Sequence, residues 1–301
     1  MQPDGSVVSG DGEVPREQVT PEVAWATSDL FDPGAPTRPF FGLLLRSMSL
    51  RWMQSSAAGV DAPIFGDLVR RGIRLTTSHV QSVSIAEHVL RVVLDHYQGA
   101  AQWHEAQRAQ RWERRDFREV AGTGWLVIGL GSIGAEVSLR ARAFGAMVTG
   151  VRRQPDGNEP VDRMIGPDEV AGALSDADVV VLAAPATSAT AHMVNDEFLG
   201  RMRPGSVLVN VGRGALVDED ALLRALDRGV PEAALLDVFA TEPLPAGHPL
   251  WSHPRVTVTP HASASGTGRH ARAADLFAAN LASWVRGQPL LHEVSVADLD
   301  G

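Results

Sequence analysis

Between positions 125 and 144 the chain makes a transition that few folds can accommodate. Four apolar residues, Trp125-Leu126-Val127-Ile128, run directly into Gly129-Leu130-Gly131-Ser132-Ile133-Gly134, and a helical pattern follows from Ala135 to Phe144. A strand apolar at every position has both faces covered, as in a parallel sheet flanked by helices. Glycines spaced G-x-G-x-x-G at such a strand–helix junction have separate duties. Gly129 permits a tight turn, Gly131 lets the backbone approach a pyrophosphate, and Gly134 lets the helix pack close to the strand. The amides of Ser132 and Ile133 would then meet phosphate oxygens at a helix N-terminus. The expectation is a dinucleotide site.

The same alternation continues downstream. Residues 147–151, 179–183, 206–211, 234–237 and 256–259 read as apolar strands separated by helices. The fold class is therefore α/β, a Rossmann-type doubly wound parallel sheet. Upstream, residues 22–26, 50–54 and 73–77 read as strands of a smaller domain. Residues 84–118 read as mostly one long helix connecting the domains, with Ile85, Val89, Val92, Val93 and Tyr97 at helical spacing. A last helix over 271–286 crosses back. The expected organisation is a flexible tail at 1–20, polar and rich in Gly and Pro; a substrate domain from 21–97 and 270–301; and a dinucleotide-binding domain over 98–269.

Composition removes several chemistries. The chain has no Cys and no Lys, which excludes disulfides, a thiol nucleophile, a Schiff base and a Walker-type phosphate lysine. The formal net charge of −9 argues against a nucleic-acid partner. The arginine-rich run 108–118 is interleaved with Glu113, Asp116 and Glu119 and reads as a solvated face and loop. No apolar run is long enough to span a bilayer, and no secretory signal opens the chain, so a cytoplasmic protein without a membrane partner is expected. No histidine spacing suggests a metal site.

About 20 residues past the glycine loop, an NAD site of this type carries an acid for the adenosine ribose. Here the strand ends in Arg152-Arg153. Two guanidiniums suit a 2′-phosphate where a carboxylate would repel it. NADP(H) is therefore the expected cofactor, with NAD(H) accepted less well.

Three further residues stand in distinctive frames: Arg213 in Asn210-Val211-Gly212-Arg213-Gly214, Glu242 in Asp237-Val238-Phe239-Ala240-Thr241-Glu242-Pro243, and His261 in Thr259-Pro260-His261-Ala262. With the glycine loop, these segments resemble the D-isomer-specific 2-hydroxyacid dehydrogenase family. The resemblance runs from about Pro21 to the last helix and is nearest to the glyoxylate/hydroxypyruvate reductase-like branch. It implies an NAD(P)-dependent oxidoreductase that reduces a small 2-oxo acid to the D-2-hydroxy acid in a cleft between the domains. It implies that Arg213 binds substrate, that His261 is the acid/base and that Glu242 orients it; a carboxylate beside an imidazole favours the charged ring. It places Asp237 near the nicotinamide, Ala184, Pro185, Thr190, Val211 and Gly212 along the cofactor, and the amides of Ala58 and Gly59 on the substrate carboxylate. A homodimer built partly on residues 84–118 is expected by the same analogy.

Family members begin with a strand and helix ahead of the segment matching 22–26. Here only the polar tail stands there, so the flavodoxin-like substrate domain is expected to lack its first strand–helix unit and to leave a sheet edge exposed. Two other readings stay open at this point: a dinucleotide-sensing, non-enzymatic interaction protein on the same fold, and a family member impaired by its shortened N-terminus.

Overall fold

In the computed structural model, which describes residues 1–2, 4–10, 12–31, 34–57, 59–60 and 62–296, the chain divides into two units: Met1–Gln81 with Thr267–Gly301, and Ser82–Gly266. The first opens on a hairpin where a flexible tail was expected. Strand β1 (Val7–Ser9) pairs antiparallel with β2 (Gly12–Val14), and Val7 and Val19 pack against the apolar core of this unit. Each strand is only three residues long, too short to show a period in the sequence.

Strand β3 (Val23–Ala26), helix α1 (Thr37–Arg46), strand β4 (Trp52–Ser55), helix α2 (Pro63–Arg70) and strand β5 (Arg74–Thr76) follow. The three strands form a parallel sheet in the order β3-β4-β5. β4 lies in the centre and is buried throughout. Alternation along it sends Met53 into a core with Phe41 and Leu44 of α1 and Phe65 and Leu68 of α2. Among the described residues no strand pairs with the outer edge of β3.

The second unit begins with α3 (Ser82–Tyr97), so the chain divides after Gln81 rather than after Tyr97. The expected long helix is broken. Gly99 has φ +66, α4 (Ala100–Arg108) starts after it, Gln110 has φ +52, and residues 109–119 are not helical. The elements that follow are β6 (Gly124–Ile128), α5 (Ser132–Ala143), β7 (Met147–Val151), β8 (Arg163–Ile165), α6 (Val170–Ala173), β9 (Val179–Leu182), α7 (Asp196–Arg201), β10 (Val207–Asn210), α8 (Glu219–Asp227), β11 (Ala233–Leu236) and β12 (Val256–Val258). All seven strands are parallel, in the order β12-β11-β10-β9-β6-β7-β8.

The central strands β6, β9, β10 and β11 are apolar nearly throughout because both faces are covered. Val127, Val181, Val209 and Leu235 point into a core with Val89 and Val93 of α3 and Val137 of α5. Their neighbours Leu126, Val180, Leu208 and Ala234 point the other way, against Phe198 of α7 and Leu222 and Leu226 of α8. The strand order reverses between β6 and β9, the switch point at which open α/β sheets bind ligands.

The chain then returns to the first unit as α9 (Arg269–Val285). It covers the face of β4 opposite Met53: Phe277 stacks on Trp25 and Trp52 at 4.6 and 5.5 Å, and Asn280 donates to Gln54 at 2.9 Å. No helix among the described residues is long and apolar enough to cross a membrane.

Candidate active site

The three glycines after β6 differ in what constrains them. Gly129 has φ +95, and a Cβ there would lie 2.4 Å from the Ala184 nitrogen. A Cβ on Gly134 would lie 2.3 Å from the Gly129 carbonyl oxygen. The protein itself requires glycine at both. Gly131 has φ −85, open to any residue, and a Cβ there would meet nothing within 4 Å. Nothing in the chain explains glycine at this point; the close approach of a phosphate at the start of α5 does. Ile133 packs its side chain on the core below, which leaves its backbone to face a ligand.

A cavity of about 370 Å3 adjoins the loop, lined by Gly129, Gly131, Arg152, Arg153, Ala184, Pro185 and Thr190. Thr190 Oγ1 donates to the Pro185 carbonyl (2.7 Å) and accepts the Thr187 N–H (2.8 Å), which fixes the loop after β9. Gly212 presses on that loop, since its Cβ would lie 2.8 Å from the Ala184 oxygen. Val211 is buried and its amide donates to the Leu182 carbonyl. The glycine cradle, the helix start and the apolar-walled cavity fit a nicotinamide dinucleotide.

The two arginines are not equivalent. Arg152 Nη1 donates to Asp156 (3.2 Å) and Glu159 (3.1 Å). Glu159 also accepts the amides of Asp156 (2.7 Å) and Gly157 (2.9 Å), and the Asp156 amide above all holds its carboxyl below the ordinary range. Arg153 is exposed on the same cavity. The pair of arginines expected at a 2′-phosphate thus comprises one outward guanidinium and one tied to two carboxylates.

Arg213, Asp237 and His261 follow the carboxyl ends of β10, β11 and β12, three adjacent parallel strands whose last residues are in register: Asn210 opposite Leu236, and Leu236 opposite Val258. Buried Asn210 shapes the Arg213 turn by donating to the Arg213 carbonyl (3.0 Å) and accepting the Gly212 N–H (3.1 Å). Arg213 Nη1 donates to the Gly212 carbonyl at 2.9 Å. A Cβ on Gly214 would lie 1.8 Å from the Phe239 carbonyl carbon, so the turn after β10 seats directly against the one after β11.

Asp237 is buried and acts as the anchor of the β12 loop. Oδ1 accepts Thr259 Oγ1 (2.5 Å) and the Ala262 N–H (3.0 Å), and Oδ2 accepts the Ser263 N–H (3.0 Å). Burial pushes its carboxyl up, but the bonds from Ser263, Thr259 and Ala262 outweigh it and leave the group below the ordinary value. Thr259 Oγ1 also lies 3.4 Å from Nε2 of His88 on α3, and burial lowers that imidazole.

The Asp237 carbonyl accepts the His261 N–H (2.8 Å), and His261 sits at φ +49. That conformation turns its ring toward Glu242: Nδ1 lies 2.7 Å from Oε2. The other oxygen of Glu242 accepts the Phe239 N–H at 2.9 Å. With Nδ1 engaged, Nε2 is the ring nitrogen left for chemistry, and the side chain is 49% exposed. Glu242 and His261, 19 residues apart in sequence, are thus brought into one dyad. Sequence reading gave no role to Asn210, Thr259 or His88. A polar residue closing each of two apolar strand runs was the available signal for the first two. Of the substrate-loop pair, Ala58 lies outside the described residues; Gly59 follows β4 in the first unit.

The sequence pattern of the D-isomer-specific 2-hydroxyacid dehydrogenase NAD-binding domain matches residues 90–263. A glyoxylate/hydroxypyruvate reductase A from Serratia proteamaculans strain 568 is 32% identical over 259 residues, 83% of this chain and 82% of that one. A D-isomer-specific 2-hydroxyacid dehydrogenase from Xanthobacter autotrophicus Py2, solved in complex with NADPH and MES, is 31% identical with a TM-score of 0.77, over 97% of this chain and 90% of that one. The NADPH-dependent glyoxylate/hydroxypyruvate reductase of Sinorhizobium meliloti, solved with NADP and sulfate, gives a TM-score of 0.73 at 25% identity, over 92% of this chain and 85% of that one.

Proposed function

We propose that this chain, which belongs to the D-isomer-specific 2-hydroxyacid dehydrogenase family, reduces a small 2-oxo acid of the glyoxylate/hydroxypyruvate type to the D-2-hydroxy acid and prefers NADPH. Membership makes it an oxidoreductase with a nicotinamide cofactor and a small 2-hydroxy or 2-oxo acid substrate. The particular acid, the residue roles and the preference for the phosphorylated cofactor are the proposal.

The observation that carries it is the 2.7 Å contact between His261 Nδ1 and Glu242. An imidazole held through Nδ1 by a carboxylate directs Nε2 at the substrate, and the imidazolium form donates its Nε2 proton to a carbonyl oxygen. The bound nicotinamide supplies the hydride that adds to the carbonyl carbon. His261 delivers the proton to the oxygen and, being half-exposed, regains one from solvent. Arg213 holds the substrate carboxylate and polarises the carbonyl with the same planar fork. Asp237 keeps the His261 loop in register through its three accepted bonds. Exposed Arg153 on the cofactor cavity supports a preference for the 2′-phosphate, and the relatives solved with NADPH and NADP point the same way.

The test is nicotinamide oxidation with glyoxylate or hydroxypyruvate, NADPH and NADH in parallel, by the native protein and Arg213→Ala. Turnover with NADPH preferred and lost on substitution is expected. Binding of NADPH without turnover of any 2-oxo acid would overturn the proposal in favour of a dinucleotide sensor or an impaired enzyme. The protein is further proposed to be a homodimer that uses the region 84–118. Trp112 there is 96% exposed, beside an edge-on Trp103–Phe117 pair. Sedimentation should report twice the 32.1 kDa chain mass, and Trp112→Ser should weaken the association.

A further inference from the structure

A second carboxylate–imidazole pair lies behind the dyad. Glu219, the first residue of α8, accepts the Ala240 N–H through Oε1 at 2.8 Å, and its Oε2 lies 3.5 Å from His248 Nε2. His248 Nδ1 accepts the Leu250 N–H at 3.3 Å, which leaves the ring hydrogen on Nε2, directed at Glu219. The Glu219 side chain is 15% exposed.

The amides of Phe239 and Ala240 are therefore each bound by a carboxylate: the first by Glu242, the second by Glu219. These amides belong to the two peptide planes on either side of Phe239. Together the two bonds fix φ and ψ of that residue and hence the start of the turn that carries Glu242. The Gly214 backbone closes the turn from below, where a Cβ would overlap the Phe239 carbonyl. Release of the Ala240 amide gives the Phe239–Ala240 peptide freedom to rotate, and the 2.7 Å geometry at His261 depends on the turn that follows it.

We propose that Glu219 is a positioning residue for the Glu242–His261 dyad, acting through the Ala240 amide, with His248 holding its carboxylate in place. This rests on the reading of that dyad as the acid/base machinery. An acidic residue in the first turn of a helix also complements the helix dipole, and Glu219 occupies that place in α8. The two roles make different demands. The dipole needs only negative charge near the start of α8; the Ala240 amide needs an acceptor at full side-chain reach.

The test compares kcat, the KM for the 2-oxo acid and the Kd for NADPH in the native protein, E219D, E219Q, E242Q and the double variant E219D/E242Q. E219D keeps the charge at the helix start, and so the fold, but withdraws the acceptor by one methylene. It is expected to lower kcat about tenfold or more, the scale on which small misplacements of catalytic groups act, with NADPH Kd within about twofold. E219Q loses the charge but keeps an oxygen for the Ala240 amide, and should recover most of kcat. In the E242Q background E219D should cost less than about twofold further, because residues acting through one another are not additive. Three results overturn the inference while leaving the dyad intact: E219D at native kcat beside a collapsed E242Q, E219Q as impaired as E219D, or a double variant whose loss is the product of the single losses. Native kcat in E242Q overturns the dyad reading itself, and this inference with it.

Discussion

Glycine at 129, 131 and 134 looks the same in the sequence, but three different forces act on it. Two are internal: Gly129 at φ +95 beneath Ala184, and Gly134 against the Gly129 carbonyl. The third, at Gly131, is proposed to come from outside the chain, since a Cβ there would meet nothing within 4 Å. Gly131→Ala should therefore leave the thermal midpoint nearly unchanged and raise the NADPH Kd about tenfold or more, since a methyl in the cradle displaces a phosphate from its amides. Gly129→Ala should instead destabilise the fold by more than about 1 kcal/mol, because it forces alanine to positive φ and into backbone atoms. Chemical denaturation and calorimetric NADPH titration separate the two. Equal effects on stability from both substitutions would refute the distinction. The spacing of the motif, and from it a separate duty for each glycine, was legible; what crowds Gly129 was not, because that depends on atoms of the β9 loop more than 50 residues away in sequence. At the dyad, His261→Asn should lower kcat by about 10²–10⁴-fold, the range of general acid–base catalysis, with little change in cofactor affinity. A variant retaining a tenth of native kcat would remove His261 from the acid/base role.

Elements were legible in proportion to how strongly burial writes them into the sequence. The strands β6, β7, β9, β10, β11 and β12 appear as largely apolar runs, and their ends fall within about two residues of expectation; the signal is strongest in β6, β9, β10 and β11, where both faces are covered. The break between α3 and α4 was missed because apolar residues resume after it, at Trp103 and Ala106. The positive φ at Gly99 ends the helix without disturbing composition. Strand β8 was missed because three residues at a sheet edge carry no period. The segment joining β7 to β8 shows what a local reading leaves out. Arg152 and Arg153 are adjacent in sequence, yet Asp156 and Glu159 turn back within the same loop to bind only the first. Arg153→Ala should therefore reduce the NADPH-over-NADH preference in kcat/KM more than Arg152→Ala does. Phosphate binding by a guanidinium already shared with two carboxylates loses less when that guanidinium is removed. The reverse ranking would show that the loop opens to give Arg152 to the cofactor.

At the scale of the whole molecule, stability should be tied to pH through four histidines outside the dyad, three of them half-buried and His292 exposed. Burial pushes His79, His88, His96 and His292 below the ordinary imidazole value of 6.5. His79 and His292 belong to the first unit, edge-on at 4.4 Å, and His88 and His96 lie on α3 of the second. As pH falls through 6.5 the unfolded chain takes up these protons, while the folded chain resists until its lower values are reached. The unfolded state then binds more protons, and stability falls with pH across that interval. A long-range effect opposes this. The net charge of −9 shrinks as the solution is acidified, relieving self-repulsion. That repulsion acts between exposed charges and is screened over about 8 Å at physiological ionic strength, whereas the cost of charging a partly desolvated ring is local and screened less. The local cost should win at 0.15 M salt, so the thermal midpoint should drop as pH is lowered from 7.5 to 5.5 and level off above 7. His79→Gln should flatten that slope, since it removes one of the four groups. A midpoint that holds or rises on acidification at this salt would mean that charge relief, not these imidazoles, governs the acid side of the stability curve.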